Sequence, residues 1–482
     1  MKLRELLAGV PICAGSADLE MEISGVSYDS RTTRPGDLFV AMTGFATDGH
    51  QYIAKALANG AAAVLCQRRP AEACAYVQTE DSRRALAVIG GNWFGHPAEE
   101  MTMIAVTGTC GKTTTTYLLK AILEQARGVK VGLIGTNQNM IGSDVIPTER
   151  TTPESFEVQK LFREMADAGC THVVMETSSH ALYLDRVYGV RYDVGIFTNL
   201  TQDHLDFHKT MENYCDAKAI LFRNCVTGVV NADDPWTPQL LKDADCKVMT
   251  YAEQADADLR AENIVLSAGG IAFDAVSGAE RVPIRVNIPG GFMVYNTLDV
   301  LGAALALGIS LEESAAVLEK VPHVKGRVEI VPTPGKDYTI LIDYAHTPDS
   351  MVNVLQTVKE FAKGRTVAVF GCGGDRDRTK RPLMGKAAAD WSDFAVVTTD
   401  NPRTEEPEAI IADILPGFDG SATPYHVVVD RIEAIHWAMD HAETGDVIVL
   451  CGKGHETYQE VNHVKHHMDE REIVADYLSS GR

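Results

Sequence analysis

Long apolar runs and an excess of positive charge are both missing from this sequence of 482 residues. No stretch approaches the roughly 20 apolar residues of a membrane helix, and residues 1–7 carry charges with no apolar signal segment after them. Lys and Arg number 44 against 66 Asp and Glu, which gives a net charge of −22. Such a surface disfavours binding to nucleic acid or anionic membranes. We therefore expect a cytoplasmic protein without nucleic-acid partners and without membrane insertion.

Paired cysteines are also missing, because none of the ten cysteines belongs to a C-x-x-C pattern. This argues against a thiolate zinc site and gives no indication of a disulfide framework. His463, His466 and His467 form a cluster, but no carboxylate or cysteine completes the spacing of a zinc site. We expect these histidines to be exposed on the surface.

The length and the hydrophobic pattern predict three α/β domains, with bounds 1–100, 101–330 and 331–482. A chain of 482 residues exceeds what one hydrophobic core usually supports. Residues 1–100 mix short strands with helical stretches, which indicates a small α/β domain. From residue 101 onward, apolar strands alternate with helices in two series, which predicts a doubly wound parallel sheet followed by a Rossmann-like domain.

A glycine-rich turn between an apolar strand at 103–106 and a helix at 112–125 is the most informative motif. In such a turn, backbone N–H groups bind phosphate oxygens, a lysine reaches the outer phosphates, and a threonine hydroxyl binds Mg²⁺. The full G-x-x-x-x-G-K-[ST] pattern is not met, since Val106 stands at its first glycine. The departure argues against generic switch GTPases. The predicted ATP-binding residues here are Gly108, Thr109, Cys110, Gly111, Lys112, Thr113 and Thr114.

Polar residues follow two later strands of the middle domain. Glu176 ends one predicted strand, and Asn199, Asp203 and His204 follow the next. Because parallel strands end at a common edge, we expect these side chains beside the glycine-rich turn, where a carboxylate suits Mg²⁺. Asp203 taken alone also fits a helix cap. Lys218, on a helix predicted over 211–222, indicates by itself only a solvated surface lysine.

Four strand ends in the last third of the chain carry polar or glycine-rich segments. They are Asp343 and residues 371–377, 400–403 and 451–456. Together they predict a site that faces the ATP-binding domain. Arg403 suits bidentate binding of a carboxylate, although pairing with Glu405 or Glu406 at a helix start explains it equally well in isolation.

These motifs, in this order, resemble the Mur ligases of peptidoglycan synthesis, and within that family the ligases that add the third residue of the stem peptide. The resemblance covers nearly the whole chain. It rests on residues 108–114, on Glu176 with 178–180, on 198–200 with 203–206, on 343–346 and on 400–403. It implies an N-terminal UDP-binding domain, a central ATPase domain and a C-terminal Rossmann-like domain, in an enzyme of cell-wall biogenesis, cell shape and cell division.

The resemblance implies which residues hold the nucleotide sugar. Ser30 matches a uridine contact, and Phe45, Ala46 and Thr47 lie where a second one is expected. The muramoyl-dipeptide positions are matched by Thr151, Thr152, Ser178 and Arg186.

The resemblance also implies a metal site and catalytic residues. Lys218 matches a lysine that the family carbamylates to N6-carboxylysine, an anionic Mg²⁺ ligand. Thr113, Glu176 and His204 match the companion ligands. The catalytic roles fall to Lys112, Lys218 and His204.

Asn296, Arg327 and Asp343 match family positions around the adenine, ribose and phosphates of ATP. The chain departs from the family pattern at Met293, where Asn is usual, and at Lys325, where Pro is common. Cys110 likewise replaces an Asn in the glycine-rich turn. Since that turn binds phosphate through its backbone, we expect this last change to cost little.

The amino-acid site gives the sharpest inference from the resemblance. Residues 400–403 match the family's signature for meso-2,6-diaminopimelate, and lysine-adding relatives lack the arginine. Diaminopimelate differs from lysine by a distal carboxylate, which a guanidinium binds with two parallel hydrogen bonds. The matching contacts are Arg376, Asp400, Asn401, Pro402, Arg403, Gly452 and Glu456. Glu456 suits the distal ammonium.

The implied reaction is ATP-dependent addition of diaminopimelate to UDP-N-acetylmuramoyl-L-alanyl-D-glutamate through an acyl phosphate, by a monomer acting on small molecules. Three alternatives stay open at this point. One is the same ligase with L-lysine as substrate. Another is a superfamily ligase such as folylpolyglutamate synthetase, which has no need of the uridine-type N-terminal domain. The third is a nucleotide-dependent switch or binding module without ligase chemistry.

Overall fold

The computed structural model describes residues 1–44, 47–148, 150–267, 269–321 and 324–480. Within these ranges three sheets follow one another along the chain, and a two-stranded hairpin lies near the C-terminus. The expected uridine contacts Phe45 and Ala46 lie outside the described residues.

The N-terminal part is a small α/β unit. Its strands are β1 (Ala14–Gly15), β2 (Gly25–Ser27), β3 (Asp37–Val40), β4 (Ala63–Cys66) and β5 (Tyr76–Gln78). Its helices are α1 (Leu3–Leu6), α2 (Ile53–Ala58) and α3 (Ser82–Phe94). The strand order is β1-β5-β4-β3-β2, and every pair except β1–β5 is parallel.

The central part contains the largest sheet. Its strands are β6 (Thr102–Thr107), β7 (Val131–Ile134), β8 (Asn139–Ile141), β9 (Asp144–Ile146), β10 (His172–Glu176), β11 (Tyr192–Phe197), β12 (Cys225–Asn231), β13 (Lys247–Ala252), β14 (Leu259–Ser267), β15 (Gly270–Ser277) and β16 (Glu280–Val286). Its helices are α4 (Lys112–Arg127), α5 (Ser155–Asp167), α6 (Ser179–Tyr183), α7 (Leu205–His208), α8 (Met211–Ala219), α9 (Thr237–Leu240), α10 (Phe292–Ala306) and α11 (Leu311–Leu318).

This sheet has the order β16-β15-β14-β13-β12-β11-β6-β10-β7-β8-β9 and is parallel from β14 to β7. Strand β6 shows why the central sheet is covered by helices on both faces. Ile104 and Val106 belong to the core that includes α4, whereas Met103 and Ala105 belong to the core on the α5 side. Alternate side chains point to opposite faces of a strand, so an almost fully apolar strand requires a helix layer on each side.

The C-terminal part forms a third sheet and the hairpin. Its strands are β17 (Glu329–Val331), β18 (Thr339–Asp343), β19 (Thr366–Phe370), β20 (Phe394–Val397), β21 (Tyr425–Val427), β22 (Val447–Cys451), β23 (Tyr458–Val461) and β24 (Val464–His467). Its helices are α12 (Pro348–Phe361), α13 (Lys380–Trp391), α14 (Pro407–Ile414), α15 (Arg431–Asp440) and α16 (Glu470–Ser479). The order is β17-β18-β22-β19-β20-β21, parallel except for β17, and β23 pairs with β24.

The predicted α/β class with a doubly wound central sheet and a Rossmann-like C-terminal sheet is confirmed. The antiparallel strands β8–β9 and β15–β16 at the two edges of the central sheet were not predicted. The helix predicted over 211–222 ends at Ala219 and is followed by a 3₁₀ turn, Leu221–Arg223. The domain bounds at 100 and 330 stay predictions, although one sheet ends at Gln78 and the next begins at Thr102.

The expectation that the C-terminal histidines are exposed agrees with the structure. His463, His466 and His467 are exposed on and beside β24. Within the described ranges, no helix has both the length and the apolar character needed to cross a bilayer.

Candidate active site

The carboxyl ends of β6, β10 and β11 meet at one edge of the central sheet. In the parallel register, Glu176 pairs with Val106 and Phe197 pairs with Thr107. The prediction that the polar segments after these strands lie side by side is therefore confirmed.

The glycine-rich turn after β6 is held by the segment after β11. Thr198 Oγ1 donates to the carbonyl oxygen of Cys110 at 2.6 Å, and the Cys110 N–H donates to Asn199 Oδ1 at 3.0 Å. Gly108 and Gly111 have φ angles of +152° and +89°. A Cβ atom on Gly108 would lie 1.8 Å from Thr198 Oγ1. Glycine is thus required by the backbone conformation and by the packing.

Lys112 begins α4, directly after this turn. Its Nζ donates to the carbonyl oxygens of Gly108 at 2.9 Å and Thr109 at 2.8 Å. Thr113 and Thr114, in the first helical turn, are buried. The positive end of a 16-residue helix and its free N–H groups face the turn, which is the arrangement that binds phosphate. To reach a phosphate, the lysine must leave the two carbonyl oxygens.

Lys218 lies on α8 and is only 1% exposed. Its Nζ donates to the carbonyl oxygen of Gly108 at 2.8 Å and lies 4.5 Å from the ring centroid of Tyr214. Burial, and then the nearby charge of Lys112, lower the pKa of Lys218 well below its ordinary value. The interpretation of Lys218 as a solvated surface lysine is therefore wrong, because this face of α8 packs into the core.

Asn296 and Arg327 approach the turn from other elements. Asn296, on α10, places its Oδ1 atom 2.4 Å from where a Cβ on Gly111 would lie. Arg327 Nη2 donates to Thr113 Oγ1 at 3.1 Å. This bond links the segment before β17 to the start of α4, directly after the glycine-rich turn. The guanidinium also lies 5.0 Å from the ring centroid of Tyr344.

Asp343 lies at the end of β18, and both of its carboxylate oxygens are occupied by backbone hydrogen bonds. Its two oxygens accept the N–H groups of Val328 and Ala345, each at 2.8 Å. Burial raises the pKa of Asp343, while the charge of Arg327 opposes that rise. The carboxylate therefore fixes the backbone beside Arg327.

Gly326 makes a close backbone contact in the same region. It has a φ of +72°, and a Cβ on it would lie 2.3 Å from the His455 nitrogen and 2.5 Å from the Gly454 carbonyl carbon. The peptide before Arg327 thus packs directly on the turn after β22.

Glu176 is completely buried, and a residue that was not predicted binds both of its oxygens. Thr136 donates to it through its N–H at 3.0 Å and through its hydroxyl at 2.8 Å. The Thr136 hydroxyl also lies 3.0 Å from that of Thr151. Thr136 follows β7, and nothing in the local sequence distinguishes it from an ordinary loop threonine.

His204 lies at the N-terminus of α7 with a φ of +53°, and its Nε2 is 3.2 Å from Asp203 Oδ2. Asp203 does not cap that helix, because its Oδ1 accepts the N–H of His204 itself. In the part of the chain that the structure describes, no group of three or more His, Cys, Asp and Glu side chains is arranged to hold a metal ion. A cation at this edge would therefore need donors of other types.

The residues expected to hold the dipeptide contact one another. Thr152 Oγ1 accepts the N–H of Ser178 at 3.1 Å and donates to the Glu176 carbonyl oxygen at 2.9 Å. Arg186 Nη1 donates to the Thr152 carbonyl oxygen at 3.2 Å. Three of the predicted positions are thereby joined to the strand end that carries Glu176.

Ser30 lies apart from that cluster, in the N-terminal unit, where it is buried and its carbonyl oxygen accepts the Asn59 amide at 2.7 Å. The N-terminal and central parts are linked through Glu154. Arg83 of α3 and Arg186 both approach Glu154 Oε2 at 3.5 Å.

A cavity of about 750 Å³ opens between the central and C-terminal parts. One wall is made by residues 202–205 of the central part. Predicted residues that line it are His204, Arg376, Asp400, Asn401, Arg403, Gly452 and Glu456. The structure therefore brings the edge that carries His204 together with the expected amino-acid site. Of the described residues, those expected to hold the nucleotide sugar lie outside this lining.

Asn401, Lys453 and Glu456 form a hydrogen-bond network beside this cavity. The fully buried Lys453 donates from Nζ to Asn401 Oδ1 and to Glu456 Oε2, each at 2.7 Å. Asn401 Nδ2 donates to the same Glu456 oxygen at 3.0 Å. No role was predicted for Lys453, although its position between two glycines at a strand end was a usable signal.

Arg403 forms an ion pair with Glu460, a partner that was not predicted from the sequence. Its Nε donates to Glu460 Oε2 at 3.0 Å. The alternative of pairing with Glu405 or Glu406 is wrong, because Glu405 binds the buried Arg381 at 2.7 Å and Glu406 lies at the N-terminus of α14.

The neighbours of Arg403 pack tightly. A Cβ on Gly452 would lie 2.4 Å from Asp400 Oδ2, and the carbonyl oxygen of Pro402 would lie 1.9 Å from a Cβ on Gly374. Arg376 Nη1 donates to the carbonyl oxygen of Asp375 at 3.2 Å. Small residues at these turns let the polar segments approach one another.

Comparison with known proteins gives matches over almost the whole chain. Three family profiles match: "Mur ligase family, catalytic domain" at residues 22–92, "Mur ligase middle domain" at 106–304 and "Mur ligase, glutamate ligase domain" at 326–454. The UDP-N-acetylmuramoyl-L-alanyl-D-glutamate–2,6-diaminopimelate ligase of Clostridium botulinum is 49% identical over 463 residues, 95% of each chain.

Solved structures give the same picture. A structure of a UDP-N-acetylmuramoyl-L-alanyl-D-glutamate–2,6-diaminopimelate ligase aligns with a TM-score of 0.72 and 33% identity, over 100% of this chain and 99% of the other. A folylpolyglutamate synthase of Mycobacterium tuberculosis aligns with a TM-score of 0.63 over 77% of this chain and 92% of its own, but at 19% identity it shares the fold alone. Because the three family profiles and a relative of 49% identity together cover almost the whole chain, the chain belongs to the Mur ligase family.

Proposed function

We propose that this chain is an ATP-dependent, ADP-forming ligase that adds meso-2,6-diaminopimelate to UDP-N-acetylmuramoyl-L-alanyl-D-glutamate. The observation that carries the proposal is the position of Arg403 in one cavity with Asn401, Glu456 and His204. A guanidinium suits the distal carboxylate that distinguishes diaminopimelate from lysine. The names of the similar ligases agree with this substrate.

The glycine-rich turn and the residues around Glu176 suggest how the carboxylic acid substrate is activated. The γ-phosphoryl group of ATP passes to the γ-carboxylate of the D-glutamyl residue and forms an acyl phosphate. Lys112, once released from its two carbonyl acceptors, neutralises charge on the transferring group. Thr152, Ser178 and Arg186 are candidates to hold the dipeptide beside Glu176.

The interdomain cavity suggests how the amine arrives. An amino group of diaminopimelate attacks the acyl carbon, a tetrahedral intermediate forms, and phosphate leaves as the amide bond is completed. Closing the cavity between the central and C-terminal parts would exclude water from the acyl phosphate. Glu456, which Lys453 already binds, is a candidate partner for the distal ammonium.

Thr113, Glu176, His204 and a carbamylated Lys218 would hold Mg²⁺. Thr113, Glu176 and the carboxylated lysine would supply the oxygen ligands that Mg²⁺ prefers, the lysine at a position where the unmodified chain has an amine, and His204 would add a ring nitrogen. The buried position of Lys218 also supports a neutral amine able to add CO₂, with loss of one proton. Bound Mg²⁺ would supply positive charge beside the phosphates.

This reaction would place the protein in peptidoglycan precursor synthesis in the cytoplasm, with consequences for cell shape and division. Its partners would be its small-molecule substrates, and we propose that it acts as a monomer.

The test is ADP release by the purified chain with ATP, Mg²⁺, UDP-N-acetylmuramoyl-L-alanyl-D-glutamate and meso-diaminopimelate. We expect release to require both substrates and the amide product to be detected by mass spectrometry. Replacing diaminopimelate with L-lysine tests whether the chain is a lysine-adding ligase. Replacing the nucleotide sugar with a folate tests whether it is a folylpolyglutamate synthetase. ATP turnover that ignores every acceptor would contradict the proposal and favour a switch or binding module.

A further inference from the structure

The hairpin β23–β24 holds the polar segment 400–403 in place. Gln459 Nε2 donates to the carbonyl oxygen of Asp400 at 2.8 Å, and the N–H of Glu460 donates to Asn401 Oδ1 at 2.9 Å. The hairpin therefore supports the first two residues of the segment from one side.

The backbone of Arg403 is held by the same hairpin. Arg403 has a φ of +51°, its N–H donates to the carbonyl oxygen of Glu460 at 3.1 Å, and the N–H of Asn462 donates to the Arg403 carbonyl oxygen at 2.8 Å. A left-handed conformation is unfavourable for arginine and persists only where its surroundings enforce it. Such enforced strain occurs preferentially at functional sites.

The side chain of Arg403 is fixed at two points. Its Nε donates to Glu460 Oε2 at 3.0 Å, and its Nη1 donates to the carbonyl oxygen of Gly374 at 2.8 Å. Arg403 and Glu460 are 17% and 20% exposed, so this ion pair is largely shielded from water. Since each terminal nitrogen carries two hydrogens, the Nη1–Nη2 edge retains donors for a ligand carboxylate.

We propose that Glu460 is a positioning residue for amine recognition. It occupies the Nε side of the guanidinium and thereby presents the Nη1–Nη2 edge of Arg403 to the distal carboxylate of diaminopimelate. The inference rests on the proposed function and adds to it the residue that orients the specificity-determining arginine.

Two conservative variants separate positioning from charge. Glu460→Asp keeps the negative charge but shortens the side chain, so it no longer reaches Nε. Glu460→Gln keeps the reach and one acceptor oxygen but removes the charge. Glu472→Asp is the matched control, because Glu472 binds His467 of the same hairpin and is exposed.

The measurement is ADP release at saturating ATP and nucleotide sugar, with meso-diaminopimelate and L-lysine titrated separately. We expect Glu460→Asp to raise the KM for diaminopimelate about tenfold, the effect of losing one hydrogen bond between a misplaced Arg403 and the distal carboxylate, with kcat and the lysine KM nearly unchanged. Glu460→Gln and the Glu472→Asp control should stay close to the parent chain. In an Arg403→Ala background, Glu460→Asp should have no further effect.

The inference is overturned if Glu460→Gln is impaired while Glu460→Asp is not, since that order indicates a charge effect. It is also overturned if the effects of the Glu460→Asp and Arg403→Ala changes add. Thermal unfolding of each variant identifies a loss that comes from misfolding. If Glu460→Asp misfolds, Glu460→Ala takes its place, and an unchanged diaminopimelate KM in that variant overturns the inference. A parent chain that does not use diaminopimelate would contradict the proposed function itself, which is a separate outcome.

Discussion

Lys112 and Lys218 donate to the same carbonyl oxygen, that of Gly108, at 2.9 and 2.8 Å. Burial, and then the nearby positive charge of Lys112, lower the pKa of Lys218, which favours its neutral amine at this shared oxygen. Two lysines from different helices thus meet at the glycine-rich turn, Lys112 at the start of α4 and the buried Lys218 on α8.

Replacing Lys218 with alanine tests whether this residue serves as a carbamylated metal ligand. We expect ADP release to fall by about 100-fold, the upper range for loss of a residue that supports a bound metal. The measurement is ligase activity at saturating substrates, with and without added bicarbonate. Lys242→Ala, at an exposed position of the same part, is the control. Full activity of Lys218→Ala would rule out the metal-ligand role.

Replacing Gly111 with alanine should weaken ATP binding. Gly111 has a φ of +89°, and the new Cβ would lie 2.4 Å from Asn296 Oδ1, so the turn and Asn296 must both shift. We expect the KM for ATP to rise at least about tenfold, equivalent to about 1.4 kcal/mol.

Gly128→Ala is the matched control, because Gly128 at the other end of α4 also has a positive φ, +64°. Among the described residues beyond its chain neighbours, none has an atom within 4 Å of the new Cβ. It should lower stability by about 1 kcal/mol and leave the KM for ATP unchanged. Equal ATP affinities of the two variants would contradict the role of the turn.

Replacing Arg403 with lysine should separate charge from geometry at the amine site. Lysine keeps the charge but loses the planar fork that binds a carboxylate at two points. We expect the KM for diaminopimelate to rise about tenfold or more, with that for L-lysine little changed. Arg378→Lys is the control, since Arg378 is exposed and binds Asp413. If Arg403→Lys retained the parental preference, another residue would determine specificity.

His455 should make the fold sensitive to acid. Burial, and then the charges of Arg327 and Lys325, lower its pKa to about 3. Between this value and the ordinary 6.5, the folded chain binds fewer protons than the unfolded chain. The contribution of His455 to stability is therefore intact above about pH 6.5 and is lost as the pH falls toward 3.

We expect His455→Asn to lose less stability than the parent chain between pH 7 and about pH 4 in denaturant titrations. His467 provides a control of opposite sign, because Glu472 raises its pKa, so its contribution is present at low pH and is lost as the pH rises. His467→Asn should thus make the chain slightly more sensitive to acid. Equal acid sensitivity of His455→Asn and the parent would show that His455 does not limit stability.

The sequence is sufficient for features that depend on local pattern. The glycine-rich turn, the apolar strands and the polar residues after them are short-range signals, and parallel strands necessarily end at a common edge. Glu176 ends such a strand and His204 follows another, so the pattern alone predicts that both lie at the same edge of the sheet.

The remaining features depend on contacts between distant segments. Lys218 is buried because α8 packs against the turn at Gly108, which no helical pattern reveals. Thr136 binds Glu176 from another strand end, and Glu460 reaches Arg403 from a hairpin 57 positions later in the chain. Each belongs to a common residue type in an ordinary helix, loop or strand, so only the tertiary fold distinguishes it.

The backbone contact at Gly326 has a consequence for how ATP and the amine substrate affect each other. The residue after it, Arg327, binds the phosphate-turn threonine, while Gly326 itself packs on the turn that leads to Lys453 and Glu456. Through this contact, a movement of Arg327 toward a bound nucleotide would be passed to the segment that carries Lys453 and Glu456. We therefore expect the KM for diaminopimelate to depend on the ATP concentration, and steady-state ADP release measured at several ATP concentrations checks this.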